Sequence, residues 1–168
     1  MLTDITDKPC GTAQEELGLP GTVTITTVDG KTFEIPVAWN GYDPNTLEEQ
    51  TLTGTLDLTS IADEVEQPST PVTAQIKVKL TQKNFSGISP VAYEGVYDGN
   101  AHGITLTGVP SGATVKYGES AESCTQDSLT YTNFTNGPKI VYYKVSQSGY
   151  ADASGSAWVN ITKRPLTV

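Results

Sequence analysis

The stretch Val72–Leu80, VTAQIKVKL, alternates without a break. Val72, Ala74, Ile76, Val78 and Leu80 fall on one side; Thr73, Gln75, Lys77 and Lys79 fall on the other. Successive side chains of an extended chain point to opposite faces, so this pattern gives one dry face and one wet face. An α-helix cannot use it, because at 3.6 residues per turn the same apolar set would be scattered around the axis. The period recurs along the chain. Phe33, Ile35, Val37 and Trp39 share a face, as do Leu52, Leu56 and Leu58 in TLTGTLDL. Further on come Ile104 and Leu106, Val115 and Tyr117, then Val141, Tyr143 and Val145, and finally Ala157, Val159 and Ile161. No amphipathic stretch is long enough for the crossover helix of a parallel α/β fold. The expected fold class is therefore all-β.

Turn chemistry refines this. Val23 and Ile25 share a face before Asp29-Gly30, which reads as a two-residue type I′ hairpin turn. Pro36 sits inside the next alternating run and lacks a ladder donor, which predicts an edge position or a bulge. A polar stretch, TQKNFSGISP, closed by Gly87 and Pro90, separates the two series of strands. Hydrophobic residues make up 36% of the 168-residue chain, a low share for one large core. Two tandem small β-sandwich domains are expected, 1–82 and 83–168, with a grasp-like arrangement as the alternative for the second. The junction around Ser86–Pro90 is short and should keep the pair from tumbling freely. ESAESCTQDSLTYTNFTNGP has no helical periodicity and reads as a long polar loop.

The net charge is −9. An acidic surface repels phosphate backbones and anionic lipid, so nucleic acid and membrane surfaces are not expected partners. No apolar run is long enough to insert in a bilayer, and MLTDITDKPC lacks the pattern of a signal peptide. Cys10 and Cys124 fall in different predicted domains. Both are expected to be free thiols, since a bridge would have to cross a domain boundary, and neither has a partner at zinc-ligand spacing.

The chemistry-bearing residues do not converge. His102 is the only histidine and lies four residues after Asp98, across the Gly99-Asn100 turn. A catalytic histidine needs a nucleophile or an orienting carboxylate within reach; here the expected role is local packing and hydrogen bonding. Asp43, Asp98 and Asp127 sit in loops without the ligand density of a calcium loop, so turn-capping is expected. Glu15-Glu16 and Glu48-Glu49 read as solvated runs, and no G-x-S-x-G or phosphate-cradling glycine loop occurs. Asn84, Asn133 and Asn160 match the glycosylation pattern, but as turn or strand residues they need no such role. No catalytic residue, metal or cofactor is therefore expected. Trp39 belongs with the core face of its strand. Trp158 and Tyr142 differ, because each points opposite to the apolar set of its own strand. If those strands pair, the two rings form an outer aromatic patch, a candidate ligand-binding site for a sugar or a protein.

These pieces carry a family resemblance. Leu19-Pro20, the Asp29-Gly30 hairpin, PVAW, YDPNT and LTGTL occur in the order found in the bacterial Ig-like domain of group 4, and this half resembles that family over most of residues 1–80. YDGNAHGITL, ATVKYG, VYYKVSQSGY and ITKRPLTV resemble the MBG-type repeats of bacterial cell-surface proteins over about residues 88–165. KRPLTV reads as the start of a following strand. The resemblance implies β-rich modules in a tandem extracellular array at the cell surface or cell wall, and no activity. The expected function is a non-enzymatic structural spacer or stalk, monomeric, whose partners are neighbouring domains of the same chain. The alternative is an adhesion module that binds a host or cell-wall glycan or protein.

Overall fold

The computed structural model describes residues 2–167. The chain is all-β and of sandwich type, and it divides into two compact units, Met1–Gln82 and Lys83–Val168. Among the described residues the only helices are three single 3-10 turns, Gln14–Glu16, Thr59–Ile61 and Ala121–Ser123.

The first unit has four strands, β1 (Thr22–Thr26), β2 (Thr32–Asn40), β3 (Gln50–Leu56) and β4 (Thr73–Val78), in the order β1-β2-β3-β4 and all antiparallel. The alternating apolar residues face inward as their spacing requires. Two coverings seal them. Leu2, Ile5, Leu17 and Leu19 from the N-terminal segment pack on Trp39, Leu52, Ile76 and Val78. Leu58, Ile61, Val65 and Val72 close over Ile35 and Leu56. The indole N–H of Trp39 donates to the Pro20 carbonyl at 2.8 Å, so the buried ring carries no unmet donor. Its ring lies over Gly54, its cross-strand partner, where an added Cβ would come within 2.9 Å of the indole.

Two turn-level expectations are corrected. The β1–β2 hairpin is not a type I′ turn, because Asp29 does not have positive φ; Gly30 does, at 85°. Gly30 N donates to Thr27 O at 2.9 Å, and Thr27 N donates to Lys31 O at 2.9 Å. Val28 and Asp29 thus form the turn, and Gly30 follows in the left-handed region, as in three-residue hairpin loops. Pro36 marks neither a bulge nor an edge strand, since β2 is internal. It marks a change of partner: β2 pairs with β1 through Thr32–Pro36 and with β3 through Val37–Asn40. A missing N–H is tolerated at that handover, while the Pro36 carbonyl accepts from Asp57 N at 2.9 Å.

The far edge of β4 is occupied by the N-terminal segment, which runs parallel to it. Four backbone bonds join them: Ile5 N to Lys77 O, Lys79 N to Ile5 O, Thr81 N to Lys8 O and Cys10 N to Thr81 O, all 2.8–2.9 Å.

The second unit has β5 (Ser89–Val91), β6 (Tyr93–Val96), β7 (Thr105–Thr107), β8 (Thr114–Gly118), β9 (Lys139–Ser146) and β10 (Ala153–Thr162). A four-stranded sheet has the order β6-β10-β9-β8, and β5 pairs with β7 in a second, small sheet. Val141, Tyr143, Val145, Val159 and Ile161 form the buried face, with Ile104 packed against them. The closing strand β10 runs antiparallel to β9 but parallel to β6. A grasp arrangement shares such a parallel pair, but it also lays a helix on its sheet, and among the described residues no helix exceeds three residues.

Of the stretch expected to act as a junction, residues 83–90 belong to this second unit and Thr81 and Gln82 to the first. Lys83 N donates to Gly149 O and Lys83 O accepts from Ala151 N. Phe85 stacks on Tyr150 with centroids 4.8 Å apart, and Pro90 lies within β5. The Ile88 and Phe85 side chains pack on the core, which removes them from any linker.

Candidate functional site

The β9–β10 register sets the outer aromatic patch. Tyr142 lies opposite Ser156 and Trp158 lies opposite Ile140. The two aromatic residues are therefore diagonal neighbours on one face, about 7–8 Å apart by sheet geometry. Ile140, 45% exposed, completes an apolar surface beside Trp158, while both rings are half-buried. Lysines frame this face, each with a carboxylate: Lys144 with Asp152 at 2.7 Å and Lys116 with Asp127 at 2.5 Å.

One side of the patch has a wall that spacing did not predict. The 3-10 turn Ala121–Ser123 leans on β8, β9 and β10. It approaches so closely that a Cβ on Gly118 would lie 2.3 Å from the Ser123 carbonyl oxygen. Gly118 pairs with Tyr142, so the turn stands next to Tyr142. Cys124 follows the turn, and partial burial pushes its thiol above the ordinary value, against the pull of Lys144. Such a surface can stack on the apolar face of a sugar ring or dock a protein side chain.

His102 is held locally. Its Nε2 lies 2.9 Å from Asp98 Oδ1 and 3.1 Å from the Tyr93 hydroxyl, and its ring stacks on Tyr93 at 3.9 Å with planes 9° apart. Its backbone pairs with Tyr131 in both directions. The Asp98 carboxylate also accepts from Asn100 N at 2.8 Å and Asn100 Nδ2 at 3.0 Å. The hydrogen bond from His102, then those from Asn100, hold this carboxyl well below the ordinary aspartate value. Asp43 caps its own turn through Asn45 N, and Asp127 is paired with Lys116. Among the described residues no three His, Cys, Asp or Glu side chains gather as a metal site needs. Cys10 and Cys124 are free thiols, and Cys10 is buried, with Sγ 3.4 Å from Pro44 O. Asn160 bonds across the sheet to Glu94, and Thr135 bonds the Ile161 backbone through both N–H and hydroxyl.

No family model matches the chain, and no curated protein matches it.

Proposed function

We propose that this chain is a non-enzymatic spacer segment of a larger bacterial cell-surface protein, made of a group 4 Ig-like module followed by an MBG-type repeat. The observation that carries the reading is how each unit is closed. In the first unit the opening segment, residues 5–10, is bonded parallel to the closing segment, residues 77–81. In the second, Lys83 is bridged in parallel to Tyr150, and the last strand β10 runs parallel to β6. Pulling a chain by its two ends drags parallel end strands past each other, so their bonds carry the force together. Antiparallel end strands would instead open one rung at a time. Separate buried clusters on either side of residues 82–83 support the same reading, because each unit then holds its own interior. The proposed setting is extracellular, and the proposed partners are neighbouring domains of the same polypeptide.

Single-molecule stretching of the whole chain tests this. Two steps are expected, each releasing roughly 270–300 Å of chain less the folded span, since an extended residue spans about 3.3–3.6 Å. One step of double length, or gradual low-force yielding, would remove the basis of the proposal.

The exposed Ile140 beside Trp158 favours a second reading, adhesion through the outer face of the second unit. A glycan array with the wild-type chain and Trp158→Ala separates the two. Specific binding lost in the variant supports adhesion, and silence across the array supports the spacer.

A further inference from the structure

The first unit carries a groove that neither reading uses. It lies between the end of β1 and the irregular segment 58–72, with a volume of about 520 Å³, in the range of ligand-binding clefts. Ile25, Val28, Leu58, Ile61, Val65 and Val72 form its apolar surface. Asp29, Glu64 and Glu66 stand on its rim. Val28 projects fully into solvent from the hairpin tip, with relative exposure of 111%.

Beside the groove runs an open sheet edge. The order β1-β2-β3-β4 leaves β1 terminal, and among the described residues no backbone bond joins segment 62–71 to β1. Pro68 and Pro71 deprive that segment of two donors, so it covers the inner face without completing the ladder. The opposite edge, at β4, is covered by the N-terminal segment. The β1 sequence is TVTIT, with none of the charges, prolines or bulges that usually blunt an edge.

Charge selects the occupant. Residues 1–82 hold thirteen carboxylates and four cations, whereas residues 83–168 hold six of each. The whole net charge of −9 therefore resides in the unit with the groove. From Asp57 to Glu66 there are four carboxylates and no cation; among the described residues the only cation paired with this stretch is Lys31, with Glu64. A second copy would bring an equally acidic β1 edge, so pairing between copies is opposed by repulsion.

We propose that β1 and this groove receive an extended segment of another polypeptide in which every second residue is aliphatic and lysine or arginine flanks this row on the same face. The segment adds as a strand to β1. Its aliphatic side chains enter the groove, and its cations meet Asp29, Glu64 and Glu66. Backbone bonds supply adhesion, while the rim and the groove supply selection.

The probe is a capped nine-residue lysine–valine peptide, KTVTVTVTK, which sets both lysines on the face of its three valines, titrated into the full chain and followed by NMR. Saturable shifts are expected at the β1 amides and at the Ile25, Val28, Ile61 and Val65 methyls. Affinity should fall severalfold between about 50 and about 300 mM salt, as screening shortens the reach of the rim charges. Glu66→Lys should weaken binding without changing the melting temperature. A glutamate–valine peptide should not bind. The lysine–valine peptide N-methylated at every residue should lose binding, since neither of its edges can then donate to a ladder. Equal binding of the glutamate or methylated peptide would overturn the proposal, as would shifts confined to other surfaces. Dimerisation of the chain without peptide would show that a second copy occupies the edge, and would overturn it too. None of these outcomes depends on the mechanical behaviour of the units.

Discussion

Trp39 shows how one side chain fixes its neighbours. Its strand face was readable from spacing, and burial on that face makes Trp39→Ala expensive, about 3–5 kcal/mol by analogy with other buried aromatic truncations. The requirement at Gly54 was not readable, because it arises only when the register sets glycine opposite tryptophan. A Cβ there would lie 2.4 Å from Val37 Cγ2 and 2.9 Å from the indole. Gly54→Ala should therefore cost about 1–3 kcal/mol in urea unfolding, and less in the Trp39→Ala background, where part of the space is vacant. Asp98 offers a test by titration. Its folded pKa lies below the ordinary 3.8, so its contribution to stability is present above that value and disappears as pH falls through the lower folded one. The carboxyl carbon shift of Asp98 should titrate below 3.8, and His102→Ala should move the midpoint upward. An unmoved midpoint would mean that the His102 bond does not hold the carboxylate.

Among elements, the long alternating runs became strands but lost their ends: β3 stops at Leu56, before Leu58, and β4 stops at Val78, before Leu80. The β9 set Val141, Tyr143 and Val145 and the β10 pair Val159 and Ile161 are all buried. Strands β5 and β6, SPV and YEGV, escaped notice because three or four residues carry too little alternation, and Gly95 contributes no side chain. The hairpin was legible as a turn but not as a type, since loop length depends on where pairing stops rather than on Asp29-Gly30 itself. With φ of 85° at Gly30, Gly30→Ala should cost roughly 1–2 kcal/mol, read as a lower unfolding midpoint. The parallel closure of the first unit can be tested alone. Lys79→Pro removes the donor to Ile5 O. The unfolding force of one step should drop while the other step keeps its force. If both steps change, or neither does, those bonds do not resist the pull.

At the scale of the whole molecule, alternation pointed correctly to β structure, but the net charge averaged away its distribution. Thirteen of nineteen carboxylates lie in the first unit, which a single net figure conceals. Strand parity placed Tyr142 and Trp158 on outer faces, and only the register made them neighbours. The wall at Ala121–Ser123 and the groove beside β1 were beyond sequence reasoning, because each is built from segments that alternation does not connect.

The parallel closures give the molecule a preferred direction of resistance. A tug along the polypeptide meets many bonds at once, whereas prying sideways on the N-terminal segment would meet them singly, like a fastener peeled from its corner. If the units act as the proposed spacer, they would endure drag along the chain yet yield to an agent that grips and lifts residues 5–10.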